Sequence, residues 1–227
     1  MMSKPDRDTE QQQAAYLDRL DKCYSGILHD VMRAEGLRNF TLPSTLRPLI
    51  PGQKLAGPAF TVAGRVDRTA DGHDTLLGWT GLLSKARPGH VVVIQPNDST
   101  VAHMGELSAE TLKYKGVRGV IADGGVRDSQ SILDIGFQVW HRYYTPRDVV
   151  GYWLPYAFDV PVTIGEVKIL PGDYLFGDRD GVVRIPRVHL DRVLLLAEEA
   201  MGKENLVRKA ILGGMDPQEA YLMHRKF

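Results

Sequence analysis

Two uninterrupted aliphatic runs, Val91-Val92-Val93-Ile94 and Val120-Ile121, constrain this chain more than any other feature. A strand with no polar position offers no face to water, so each run belongs in a sheet covered on both sides. A loop and then a helical pattern follow each run. The first unit reads as a strand over His90 to Gln95, a loop over Pro96 to Met104 and a helix from Gly105 to Lys115. The second reads as a strand over Val117 to Ala122, a loop over Asp123 to Arg127 and a helix from Asp128 to Ile135. Such units build parallel sheets, and their sites form where the carboxyl ends of the strands open into loops. The expected class is α/β, with a central sheet and flanking helices.

The remaining pattern fits that class. Tyr16, Leu17, Leu20, Tyr24, Ile27, Leu28 and Val31 recur at helical spacing, which predicts one helix over Ala14 to Ala34, ended by Gly36. Thr41 to Gly57 reads as loop, Ala59 to Val66 as a strand, and His73 to Ala86 as a helix stopped at Arg87-Pro88-Gly89. Phe137 to Trp140 is a short strand. Gly165 to Ile169, Tyr174 to Phe176 and Gly181 to Ile185 form a β-rich section, with Asp178-Arg179-Asp180-Gly181 as a hairpin turn. A long helix follows over Val188 to Leu212, stopped by Gly213-Gly214. No linker divides the pattern, so residues 1–15 are expected to be a flexible tail and residues 16–227 a single domain.

Charge and cysteine usage exclude several functional classes. Lys plus Arg equals 28 and Asp plus Glu equals 28, so the chain has no global attraction to nucleic acid or to an anionic membrane. The single cysteine, Cys23, cannot form an intrachain disulfide and is read as a packing residue. The polar N-terminus lacks the apolar core of a signal peptide, and no apolar run is long enough to cross a bilayer. The expected location is cytoplasmic.

The chemistry concentrates in Asp123-Gly124-Gly125-Val126-Arg127-Asp128. Paired glycines permit a sharp turn after the strand. Arg127 and Asp128 then fall at a helix start, where free amides and the helix dipole favour anions. Arg127 offers a planar fork suited to a carboxylate, and Asp128 offers oxygens to a hard cation. The plainer alternative is that Asp128 caps its helix and Arg127 pairs with a neighbouring acid. Gly105-Glu106-Leu107-Ser108 occupies the same place in the first unit. If the two strands are neighbours, both helix N-termini face one crevice, and the amides of Leu107 and Ser108 can hold a carboxylate or an enolate oxygen. Against this stands a simple first-turn Glu. His73 with Asp74 suits a surface helix start better than a metal pair, and His103, in the loop before Gly105, suits solvent better than the crevice. No zinc-ligand spacing and no nucleotide-binding glycine motif occurs.

Gly105-Glu106-Leu107, Gly116-Val117-Arg118-Gly119-Val120 and Asp123 to Asp128 resemble the RraA-like family, which includes the class II 4-hydroxy-4-methyl-2-oxoglutarate/4-carboxy-4-hydroxy-2-oxoadipate aldolases. Pro171-Gly172-Asp173 and Gly177 to Val183 match as well, and Ser25 to Met32 matches more loosely. The resemblance spans roughly residues 16 to 212. It implies a layered α/β/β/α sandwich of the swivelling-domain type, assembled as a homotrimer or homohexamer with active sites between subunits. It implies that Arg127 holds the substrate and that Asp128 anchors Mg²⁺ or Mn²⁺. Glu106 would act through metal-bound water, and Gly105, Leu107 and Ser108 would line the substrate. A C-terminal Glu of a neighbouring subunit would reach the metal through water; Glu204 is the best match and Glu199 the alternative. The implied reaction is metal-dependent carbon–carbon cleavage of a 4-hydroxy-2-oxo acid through a pyruvate enolate, which would also decarboxylate oxaloacetate. The competing implication is a non-catalytic regulator of the RraA type, acting by protein–protein binding.

Residue chemistry agrees with a metal rather than a Schiff base. No lysine falls in the motif segments, and carboxylates without His or Cys suit Mg²⁺ or Mn²⁺. Glu204 lies near the apolar stripe Val193, Leu196, Ala200, Val207 and Ile211, where an acid needs a cationic partner; Arg208, four residues on, is the nearer one. The expected partners are a small 2-oxo acid and further copies of the chain, with no nucleic acid and no membrane. Substrate identity would rest on the loops Asp67 to Asp74 and His141 to Tyr156.

Overall fold

A computed structural model describes residues 7–225. Among them the helices are α1 (Arg7–Leu20), α2 (Ser25–Ala34), α3 (Gly72–Lys85), α4 (Glu106–Tyr114), α5 (Ser129–Ile135), α6 (Leu190–Leu212) and α7 (Pro217–His224). The strands are β1 (Arg47–Pro48), β2 (Leu55–Val66), β3 (Val91–Gln95), β4 (Gly119–Ala122), β5 (Gly125–Val126), β6 (Val139–His141), β7 (Tyr143–Tyr144), β8 (Trp153–Phe158), β9 (Val162–Ile164), β10 (Val167–Ile169), β11 (Tyr174–Gly177) and β12 (Val182–Ile185). The chain divides into two compact units: Asn39–Arg187, and the residues up to Arg38 together with those from Val188 onward.

The larger unit is a mixed α/β layer structure. Its main sheet runs in the order β1-β6-β4-β3-β2-β11-β12, with β8 also paired to β2. β2, β3, β4 and β6 are parallel neighbours, joined through α3, α4 and α5. The expected burial of the aliphatic strands on both faces is found. Phe60, Val62, Val92, Ile94, Val120 and Ala122 join one core with Trp79, Leu82, Ala109, Leu112 and Ile132 of the three helices. The alternate positions Ala59, Ala63, Val91, Val93 and Ile121 join a second core with the β9–β10 hairpin. One face is therefore helical and the other is β, which is the period-two consequence of side chains alternating across a sheet.

Some boundaries differ from the sequence reading. β2 begins at Leu55, inside the stretch expected as loop, because Leu55–Pro58 pair antiparallel with β11. β8 and β9 lie where no strand is expected; β8 alternates less cleanly because it pairs β2 at a register shift between Ala63 and Gly64. The Asp178–Gly181 turn closes the β11–β12 hairpin as expected, with Asp178 N donating to Gly181 O at 3.1 Å.

In the smaller unit, the helix expected over Ala14 to Ala34 is broken into α1 and α2 by a turn at residues 21–24. Leu20, Cys23 and Ile27 are buried around that turn, so the apolar spacing continues through it and hides the break. Of the segment expected as a tail, residues 1–6 lie outside the described residues, and Arg7 to Ala15 are helical. α7 was not anticipated; Asp216 caps it by accepting from Gln218 N and Glu219 N, with Pro217 at the first position. No helix among the described residues is long and apolar enough to cross a membrane.

Gly64 is the most closely approached glycine of the larger unit. A Cβ there would lie 1.9 Å from the Trp153 ring. That ring is fully buried and held by a hydrogen bond from Nε1 to Pro96 O at 2.8 Å, so it has no room to yield. Gly64→Ala is expected to lower unfolding stability by about 1–3 kcal/mol. Urea denaturation followed by tryptophan fluorescence checks this, and an unchanged midpoint would contradict it.

Candidate active site

The carboxyl ends of β3 and β4 open into two loops that run side by side. Ala102 forms a parallel bridge with Gly125, His103 N donates to Gly125 O at 2.8 Å, and Arg127 N donates to Met104 O at 3.0 Å. This short ladder delivers the N-terminus of α4 to the start of α5. Gly105 caps α4 without a side chain, and a Cβ there would sit 2.9 Å from Asp128 Oδ2 and 3.3 Å from Arg127 Nε, so those two side chains would have to shift. Gly124 and Gly125 are more tightly confined, the first by the His103 ring at 2.2 Å and the second by the Tyr143 ring at 2.5 Å and Val101 O at 2.8 Å.

The structure brings Gly105, Glu106, Arg127 and Asp128 together. Asp128 precedes α5 with left-handed backbone (φ 53°, ψ 34°), a conformation that Asp tolerates better than most residues. Its carboxylate does not cap its own helix. Oδ2 instead accepts from the Glu106 amide at 3.2 Å and lies 3.3 Å from Arg127 Nε. The plain capping reading of Asp128 therefore fails, whereas pairing of Arg127 with neighbouring acids holds. Arg127 has a second acidic neighbour, Asp148 Oδ2, 3.4 Å from Nη1. The amides of Leu107 and Ser108 make no hydrogen bond among the described residues, as first-turn amides commonly do not. The Glu106 side chain is exposed. Ser108 Oγ accepts from Trp79 Nε1 at 2.8 Å, which ties α4 to α3 and leaves its backbone amide as the group open to a ligand.

Glu204 and Glu199 lie on α6, in the smaller unit. Glu204 accepts hydrogen bonds from the Tyr24 hydroxyl and, at 2.6 Å, from Arg208 Nη2. Burial, with the Glu204 carboxylate beside it, pushes the Tyr24 hydroxyl up to about 12. His73 and Asp74 sit in the exposed first turn of α3, where Asp71 caps by accepting from Asp74 N at 2.8 Å.

His103 differs from its expected solvated place. It is fully buried, packs edge-on to Trp153 at 4.9 Å, and neither ring nitrogen has a hydrogen-bond partner among the described residues. Its Nε2 lies 3.6 Å from Asp98 Oδ2, too far for a hydrogen bond. Burial pushes its pKa down to about 4, against the opposing pull of Asp98. Burial alone would raise Asp98, but hydrogen bonds from the Thr100 and Val101 amides and the Thr100 hydroxyl outweigh it and hold the acid low.

A cavity of about 300 Å³ lies at the same strand ends, lined by Gln95, Asn97, Asp98, Ser99, Asp123, Arg142 and Thr163. Asp123 there accepts from Arg142, and burial raises its pKa. Arg127 and Asp128 do not line it. Asp98, Arg142 and Asp148 were not picked out by sequence reasoning as site residues, and Asp123 stood in the motif without a role. Asp148 falls in the loop expected to govern specificity, but nothing in its spacing singles it out.

The model of the RraA-like family, described as Aldolase/RraA, matches residues 26–184. A protein of Halalkalibacterium halodurans named "Putative 4-hydroxy-4-methyl-2-oxoglutarate aldolase" is 31% identical over 193 residues, covering 83% of this chain and 85% of its own. A crystal structure described as "novel cellulases from microbes associated with the gut ecosystem" is 32% identical, with a TM-score of 0.80 and 90% of each chain covered. Streptomyces coelicolor RraAS2, described as an unusual member of the RNase ES inhibitor RraA protein family, is 27% identical with a TM-score of 0.78. That match covers 92% of this chain and 99% of RraAS2.

The buried neutral His103 makes stability depend on pH. The unfolded chain takes up a proton near the ordinary histidine value of 6.5, whereas the folded chain resists it down to about 4. Stability is therefore complete above about 6.5 and declines as pH falls toward 4, by on the order of 3 kcal/mol for this group. His103→Leu is expected to flatten the dependence in that window and to change stability at pH 8 by less than about 1.5 kcal/mol. Urea titrations across the pH range check both, and equal slopes for the two proteins would refute it.

Proposed function

This chain belongs to the RraA-like Aldolase/RraA family, and we propose that it acts as a divalent-metal-dependent carbon–carbon lyase on a 4-hydroxy-2-oxo acid, or on oxaloacetate. The observation that carries the reading is the turn of Asp128. Its left-handed backbone directs the carboxylate to the start of α4, beside Arg127, so an acid, a guanidinium and two open amides share one patch. The likeness to the Halalkalibacterium protein, named as an aldolase of a 4-hydroxy-2-oxo acid, supports the carbon–carbon cleavage in this reading.

The donor set fits Mg²⁺ or Mn²⁺. Asp128 Oδ1 has no partner among the described residues, and the adjoining acid is Glu106. No group of three or more His, Cys, Asp or Glu gathers there among the described residues, so a cation held at Asp128 keeps most of its waters, as Mg²⁺ does. A bound cation supplies Lewis acidity at the 2-oxo group. Arg127 binds the substrate carboxylate through its fork, and the Leu107 and Ser108 amides donate to the oxygen on which charge develops. Glu106, directly or through water, takes the proton of the 4-hydroxyl. The C3–C4 bond breaks, its electrons pass into the pyruvate enolate, and C4 leaves as a carbonyl. Glu106 returns the proton to C3, giving pyruvate. Oxaloacetate loses carbon dioxide to the same enolate.

A second reading, a non-catalytic regulator acting by protein binding, draws on the likeness to RraAS2. One assay separates them: pyruvate release from 4-hydroxy-2-oxo acids and oxaloacetate, coupled to lactate dehydrogenase, with Mg²⁺ or EDTA. Turnover is expected with metal, none is expected in EDTA or from Asp128→Ala, and Arg127→Ala is expected to lose about 10²–10³ in rate. Full activity in EDTA would sink the metal mechanism, and no turnover on any substrate would favour the regulator.

We propose further that the working form is a homotrimer or homohexamer, in which Glu204 of one subunit serves the Asp128 site of its neighbour. Leu206 and Leu212 on α6 and Leu222 and Met223 on α7 are exposed, and this apolar surface suits burial between copies. Glu204 would then exchange Tyr24 and Arg208 for the neighbour's site. Light scattering is expected to show the oligomer. Asp128→Ala and Glu204→Ala subunits, each inactive, should regain partial activity when refolded together. An active monomer, or near-normal turnover by Glu204→Ala, would refute the arrangement, the latter in favour of Glu199.

A further inference from the structure

We propose that Asp148 is a specificity-determining residue of this site: a resident carboxylate that competes with the ligand's carboxylate for Arg127. The inference rests on the reading that Arg127 holds the carboxylate of a 2-oxo acid. Two of the three guanidinium nitrogens of Arg127 already face acids, Nε at 3.3 Å from Asp128 and Nη1 at 3.4 Å from Asp148. Nη2 makes no hydrogen bond among the described residues. A ligand carboxylate that grips the fork through Nη1 and Nη2 therefore meets Asp148 on the same nitrogen.

Asp148 cannot simply swing away with its loop. Arg147 O accepts from Ala102 N at 2.9 Å, and Val149 packs into the larger core. Thr145 N donates to Val126 O at 3.1 Å, and Asp148 Oδ1 itself accepts from Val150 N at 3.2 Å. The backbone is thus pinned on both sides of the residue. Arg147 beside it makes no ion pair with Asp148 among the described residues; its guanidinium lies over the Tyr152 ring at 5.8 Å.

The contact is held in place and still weak. The side chains of Arg127 and Asp148 are 37% and 49% exposed, and ion pairs so exposed contribute little. A ligand can displace the contact, but against a standing penalty. One guanidinium faces two carboxylates, Asp128 and Asp148, so the three side chains together are net negative. Any carboxylate pays for approaching them, and a ligand with several uncompensated charges pays more. Asp148 thereby discriminates against polyanions that arrive without a cation.

Calorimetric titration of the full-length chain with oxalate, a planar mimic of the pyruvate enolate, tests this with Mg²⁺ and with EDTA. Asp148→Asn keeps the shape and the acceptor for Val150 N while removing the charge. It is expected to bind oxalate about 3- to 10-fold tighter at low salt in EDTA, with a smaller gain in Mg²⁺. The gain should shrink at high salt and vanish when Arg127→Ala is added. Asp148→Glu should bind as the parent does. In turnover, KM should fall with no rise in kcat. Unchanged affinity overturns the proposal, and weaker binding overturns it by showing that Asp148 aligns Arg127 instead. A gain that persists without Arg127 refutes the competition alone. Parent affinity unaffected by Arg127→Ala, or no oxalate binding to any variant, refutes the reading of Arg127 as well.

Discussion

The larger unit depends on β2, whose buried backbone must find hydrogen-bond partners along its whole length. Leu55–Pro58 pair with β11, Ala59–Ala63 pair with β3, and Val62–Val66 pair with β8. The overlap at residues 62 and 63 puts strands on both edges of β2 where β8 shifts register. Gly64 sits at that shift because the Trp153 ring occupies the space a side chain would need. Trp153 in turn holds Pro96 O, the first carbonyl of the loop that carries His103 and Gly105. His103 then packs against Trp153 and fills the space over Gly124. A continuous line of close contacts thus runs from the centre of the sheet to the two loops that place Arg127 and Asp128.

That line explains which parts of the site were legible in the sequence. β3 and β4 were readable because burial on both faces leaves no polar position to confuse the pattern. Gly105, Glu106, Arg127 and Asp128 were readable because each stands at a helix start just after such a strand. Nothing local marked Asp148, whose role comes from a loop pinned by Ala102 and Val126. His103 was misplaced for a related reason. A histidine in a loop is normally solvated, and only the ladder between Ala102 and Gly125 draws this one beneath the neighbouring turn. The break between α1 and α2 was invisible because burial on both sides of the turn preserves helical spacing. β8 was obscured by its shifted register against β2.

The paired loops also divide the labour between rigidity and reactivity. Val101, Met104, Val126 and Val149 anchor the loops in the core, whereas Glu106 and Asp128 remain exposed and Arg127 half-buried. The scaffold fixes where the polar groups stand without removing them from water. Their interactions are individually weak, so an arriving ligand exchanges them at modest cost.

Asp128 carries one more consequence, which concerns how this sequence can drift. Its φ of 53° belongs to a region in which glycine, asparagine and aspartate are at ease and β-branched side chains are strained. The position is therefore under two separate demands, one from backbone shape and one from charge. A descendant that gave up the charge while keeping the fold would settle on asparagine or glycine there. Such a residue after the arginine would mark a lineage that kept the architecture and abandoned the chemistry.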